Sequence, residues 1–113
     1  MLLVRYTANG DLDNTFFNGG SGFTLSFNAL NDKVSYMSIS NNKLFISGNS
    51  ETSIVENNLV FGRYNLNTFT ADTTFGTNGL KQQILSHPTY EEVIKSVVQS
   101  DNKTIVLTKV YTI

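Results

Sequence analysis

The chain has 113 residues, no cysteine, 15% charged residues and a formal net charge of −1. That length suits one domain with its own core, or a part of one, and the missing cysteines exclude disulfides, thiolate metal sites and thiol catalysis. Lys and Arg are dispersed and nearly balanced by Asp and Glu, so no field gathers nucleic acid or anionic lipid, and no run approaches the ~18 apolar residues of a membrane span.

Apolar residues come in short bursts separated by Asn, Asp, Gly and Ser. In chain order these are Leu2 to Tyr6, Phe23 to Phe27, Val34 to Ile39, Lys43 to Gly48, Leu59 to Tyr64, Leu80 to Leu85, Val93 to Val98 and Thr104 to Val110. They are rich in Val, Ile, Phe, Tyr and Thr, which suits a pleated, half-buried surface, so the expectation is an all-β fold of about eight antiparallel strands. Tyr90, Val93, Ile94 and Val97 also fit a helical period, but the segment is short and β-branched and is assigned as strand. The apolar run in MLLVRYTANG is too short for a signal peptide, and export would require a signal outside this chain.

Three turns are explicit. Asn9-Gly10 is the strongest two-residue turn signal, while Asn41-Asn42 and Asp101-Asn102 each sit between an apolar burst and a Lys that opens the next one. Asn and Asp tolerate the positive φ of a tight hairpin, so all three are predicted turns.

The chain also counts out one unit nearly twice. Arg5-Tyr6 falls on Arg63-Tyr64 at an offset of 58, Asp13, Thr15 and Phe16 fall on Asp72, Thr74 and Phe75 at 59, and Asn42-Lys43 falls on Asn102-Lys103 at 60. Gly22 pairs with Gly79 in this alignment. Turns absorb the length changes, as loops do in repeat architectures. Counted from Val34, one full repeat covers 34–92; residues 1–33 form the C-terminal half of a repeat and 93–113 the N-terminal half. Matching tyrosines, Tyr6 and Tyr64, should then occupy matching places in successive sheets.

The runs LVRYTANGDLDNTF and FGRYNLNTFTADTTFGTNGL, with SNNKLFISG and SDNKTIVLT, resemble the delta-60 repeat of bacterial surface and secreted proteins. That resemblance implies two propeller-blade-like repeats of about four strands each, an extracellular or cell-surface location, and a family without a generally assigned activity. The chain departs from the pattern at Phe17, where the family has the Gly that Gly76 supplies, at Ala71 in place of Leu, and at the residues before Lys43 and Lys103. Two blades do not close a ring, so other copies of the repeat, or self-association, are expected to cover the open edges.

Candidate chemistry is sparse. Asn9, Asp11 and Asp13 have the alternate spacing of a Ca²⁺ loop but lack its central Gly and closing Glu, and are read as turn residues. Arg5 with Asp13, and Arg63 with Asp72, are predicted ion pairs between a strand and its following loop. His87, the only histidine, stands beside Pro88 with Glu91 and Glu92 nearby and has no nucleophile motif to serve, so it is read as a loop residue. The five tyrosines and eight phenylalanines are read as packing, with a sugar-stacking surface as the alternative. No catalytic, cofactor-binding or metal residue is assigned. The reading is a non-catalytic scaffold or binding module, taking protein or glycan as ligand; a carbohydrate-binding module and a part of a propeller-type enzyme remain open beside it.

Overall fold

The computed structural model describes residues 1–16, 20, 22–27, 31–53, 56–84 and 89–112. They form an all-β fold of nine strands: β1 (Leu2–Val4), β2 (Gly22–Thr24), β3 (Asn31–Ser40), β4 (Lys43–Ser53), β5 (Glu56–Asn65), β6 (Thr70–Ala71), β7 (Leu80–Gln83), β8 (Thr89–Val98) and β9 (Thr104–Thr112). Each predicted burst is a strand, including the segment with the helical period; the two-residue β6 is the one addition.

Hydrogen bonding divides the strands into a two-stranded sheet, β1–β2, and a seven-stranded one ordered β3-β4-β5-β8-β9, with β6 and β7 also pairing with β5. All pairings are antiparallel except that of β5 with β8, which consists of the single parallel pair Asn57↔Tyr90. A strand lying flat beyond β5 could not reach β3, yet β8 touches β3, β4 and β5. The β8–β9 hairpin therefore leaves the plane of the sheet and lies across its face.

The alternation of β4 explains the stacking. Leu44 and Ile46 point to one side, where they form the core with Leu25 and Tyr64, and where Met1, Leu3 and Phe23 of the β1–β2 layer close over them. Phe45, Ser47 and Asn49 point to the other side and are also buried. There Ser47 and Ser96 share a 2.8 Å hydroxyl hydrogen bond. Asn49 Nδ2 donates to the Glu91 carbonyl at 2.5 Å, and its Oδ1 accepts from the Val93 N–H at 3.0 Å. The middle sheet, β3-β4-β5-β7, is thus held between β1–β2 and β8–β9.

The turns form where Asn and Gly permit them. Asn41 and Asn42, with φ of 48° and 60°, make the two-residue loop between β3 and β4. Residues 100–102 make a three-residue loop closed by the Gln99 N–H donating to the Lys103 carbonyl, with Asn102 at φ 65°. Gly10, at φ 92°, donates to the Thr7 carbonyl.

The hairpins β3–β4 and β8–β9 also share an irregularity that composition does not signal. Both ladders slip by one residue, between Val34 and Tyr36 and between Val93 and Lys95. The bulged residues, Ser35 and Ile94, stand 59 apart. At that slip Gly48 meets the opposing backbone so closely that a Cβ would lie 1.9 Å from the Lys33 carbonyl oxygen. Gly48→Ala is expected to lower stability by well over about 1 kcal/mol, because backbone rather than a movable side chain is in the way. Thermal unfolding of the variant checks this, and an unchanged midpoint contradicts it.

Candidate functional site

The polar side chains that the sequence singles out come together as two clamps of the same design. Arg63 lies two residues before the end of β5, and the chain turns back through β6 so that the Asp72 N–H donates to the Arg63 carbonyl at 2.9 Å. This places the Asp72 carboxylate beside the guanidinium, with Arg63 Nε 2.8 Å from Asp72 Oδ2. The other carboxylate oxygen accepts from the Thr74 hydroxyl at 2.6 Å and from the Thr74 N–H at 3.1 Å. The Phe75 ring covers the guanidinium, whose carbon stands 4.9 Å from the ring centroid.

The first motif repeats these contacts. Arg5 Nε is 2.8 Å from Asp13 Oδ2, Thr15 donates its hydroxyl and its N–H to Asp13 Oδ1 at 2.6 and 2.9 Å, and the Phe16 ring covers Arg5 at 4.9 Å. The Asp13 N–H donates to the Arg5 carbonyl, as Asp72 does to Arg63. Both predicted ion pairs are present. With Asp13 committed to Arg5 and Thr15, and Asp11 N–H bound to the Thr7 hydroxyl, the Asn9–Asp11–Asp13 segment is organised as a turn.

The clamps differ in setting. Arg63 and Asp72 keep 16% and 5% of their side-chain exposure, whereas Arg5 retains 43%. Lys43 adds a second cation 3.1 Å from Asp72 and also donates to Asn65 Oδ1. The Thr74 hydroxyl bond, aided by Lys43 and the charge of Arg63, holds the Asp72 carboxyl well below the ordinary carboxylate range. Asp13 is lowered too, chiefly by Thr15.

The tyrosines depart from expectation. Tyr6 bridges Leu12 as Tyr64 pairs with Ala71, so their ladder positions match. Their surroundings do not: Tyr64 is buried under Phe23, ring centroids 5.6 Å apart, while Tyr6 is exposed. The β1–β2 layer covers Tyr64, and among the described residues nothing comparable covers Tyr6. The ladder also corrects the glycine alignment. Gly22 pairs with Val4 and Leu80 with Gly62, so Leu80, not Gly79, corresponds to Gly22. Tyr90 and Tyr111 pair edge to face at 6.0 Å across the open end of β8–β9. His87 and Pro88, like Phe17, lie outside the described residues; Glu91 is buried, and Glu92 lies 3.3 Å from the Lys33 ammonium.

Sequence reasoning missed Ser47, Asn49 and Ser96, whose side chains join the layers. Their only signal is polar residues at inward positions of apolar strands. Two open grooves flank the clamps. One lies among Phe45, Phe61, Arg63, Phe75 and β9, and the other among Leu3, Arg5, Phe16, Leu44 and Phe69.

The fold and clamps define the chain as an all-β protein in which polar side chains secure loops to strands. Compared with protein-family models, curated proteins and solved structures, the chain matches none.

Two outcomes follow from the clamps. Arg63→Met should cost about 3 kcal/mol, the lower end for breaking a buried pair because Lys43 remains, and Arg5→Met only a fraction of that; equal shifts in melting temperature contradict the assignment. The depressed carboxyl of Asp72 contributes stability above its unfolded value of 3.8 that is lost as pH falls through the folded value. The wild-type melting temperature should therefore exceed that of Asp72→Asn at pH 7, with the gap narrowing on acidification below about pH 4. A gap that stays constant from pH 7 to pH 2 contradicts it.

Proposed function

We propose that the chain is a non-catalytic β-repeat module that serves as a scaffold or binding surface in a bacterial surface or secreted protein. The observation that carries this reading is the duplicated clamp: Arg, Asp, Thr and Phe recur at offsets of 58 and 59 with the same partners and nearly the same distances. Such a constellation spends its polar groups on one another. The guanidinium, the carboxylate and the hydroxyl are mutually bonded, and the ring shields the cation, so the set rigidifies a loop instead of presenting a nucleophile or base to a substrate. The location follows the delta-60 resemblance, as does the description of the layers as blades.

Stacking supports the scaffold role. Lys33 meets Glu92 and Asn41 meets the Ser100 carbonyl, each pair 59 residues apart, so corresponding positions of adjacent layers lie next to one another. Units stacked in this way gain stability from each new neighbour. The test joins two whole chains in one polypeptide through a linker copied from residues 54–58, the segment that separates β4 from the counterpart of Met1. At concentrations where single chains are separate, the tandem is expected to melt at a higher temperature than one chain. The chain is also expected to leave a glycan array blank. An unchanged melting temperature removes the scaffold reading, and strong binding to a glycan replaces it with the carbohydrate-binding one.

A further inference from the structure

The repeat reading above supplies a template for a contact that this chain makes only once. Hairpin β8–β9 corresponds to β3–β4 at offsets of 59 and 60, and the β1–β2 pair corresponds to β5–β7 at 58. In the middle sheet β4 pairs with β5. Among the described residues, β9 pairs only with β8 and β1 only with β2, so each has an open edge where its counterpart has a partner.

We propose that a second copy of this chain docks head to tail, its β1 adding to the open edge of β9 and its β3 covering the outer face of β9. The β4–β5 ladder sets the register. Leu44↔Tyr64, Ile46↔Gly62 and Ser47↔Phe61 translate into Thr104 opposite the second copy's Tyr6, Val106 opposite its Val4, and Leu107 opposite its Leu3.

The outer surfaces carry the chemistry this docking requires. Inside the chain, Ser47 of β4 bonds Ser96 of β8, both buried. Their counterparts at the proposed contact are Leu107 and Met37, which are 61% and 50% exposed. A buried polar pair is thus matched by an apolar pair, each complementary within itself. Ile105, 56% exposed, takes the place of the buried Phe45. Charges agree as well. Lys109, counterpart of Asn49, comes opposite Asp32 of the second copy, counterpart of Glu91. Glu92 comes opposite the second copy's Lys33, as Lys33 meets Glu92 within the chain.

The added strand also fills a space. Leu2 and Val4 on the outer face of β1, and Tyr6 two residues beyond its end, are exposed. Beside β9 they would turn into the groove of about 470 Å³ between Phe45, Phe61 and Phe75 of the middle sheet and Thr104 and Val106 of β9. Tyr6 would then gain the cover that Tyr64 already has. The contact joins two different surfaces, so it is heterologous and can continue from copy to copy until a ring closes.

The test measures the mass of the whole chain by sedimentation over a range of concentrations. Wild type is expected to associate beyond the monomer. Leu107→Lys and Met37→Lys alter exposed positions on opposite sides of the contact; each is expected to weaken association at least about tenfold with the circular dichroism spectrum unchanged. Mixing the two variants should restore association to a dimer and no further, because one keeps an intact head and the other an intact tail. As an independent readout of register, Val106→Cys of one chain should cross-link to Val4→Cys of another on mild oxidation, far more than Val106→Cys to Leu2→Cys. Wild type monomeric at every concentration, a mixture that associates no better than its parts, or equal cross-linking in both pairings overturns the proposal. A tandem that gains stability while free chains stay monomeric sinks this contact and leaves the scaffold reading standing.

Discussion

The architecture depends on β4 being buried on both of its faces. A strand sends successive side chains to opposite sides, so Leu44 and Ile46 need an apolar cover on one side and Phe45, Ser47 and Asn49 a different cover on the other. A sheet with one solvated face could not satisfy both demands. Two layers must therefore close on the middle sheet, which accounts for the short β1–β2 pair on one side and for the departure of β8–β9 from the sheet plane on the other.

The two covers act by different physics. The β1–β2 side is sealed by apolar contact among Leu3, Phe23, Leu25, Leu44, Ile46 and Tyr64, which favours burial without dictating a unique register. The β8 side is joined by directional bonds. Asn49 uses both ends of its amide on the backbone of β8, acting as a short piece of strand, and Asn57 adds a further bond to the same Glu91 carbonyl at 2.9 Å. Sliding β8 by one residue would strand these buried groups without partners, at a cost of about 1–3 kcal/mol each. Polar residues inside this interface thus set the position of the layer, while the apolar positions elsewhere supply adhesion.

Much of this was legible in the residues because the relevant rules are local. Strand composition located all eight bursts, and Asn41, Asn42 and Asn102 marked loops that need positive φ. The Arg–Asp pairs could be read from recurrence alone, since both members reappear at nearly constant offsets. What could not be read depends on which layer covers which. Tyr6 and Tyr64 each follow an Arg and hold the same ladder role, yet one is exposed and one buried, because among the described residues only Tyr64 has a neighbouring layer across from it. The inward serines and Asn49 were hidden for the same reason: a polar residue on an apolar strand has no evident role until its partner on another layer is known.

The differences in spacing make physical sense once the ladders are compared. Between β3–β4 and β8–β9 the bulges stand 59 apart and the second strands 60 apart, and the extra residue lies in the loop, which has two members in one hairpin and three in the other. A residue inserted into either strand would have turned every following side chain to the opposite face and exchanged core for surface. A residue inserted into the loop leaves the pleat intact and costs only a change of turn type, which Asn102 accommodates with its φ of 65°. The bulge obeys the same restriction from the other direction. It is itself an extra strand residue, tolerated because Ser35 and Ile94 interrupt both hairpins at the same point and leave each stacked face in step with the next.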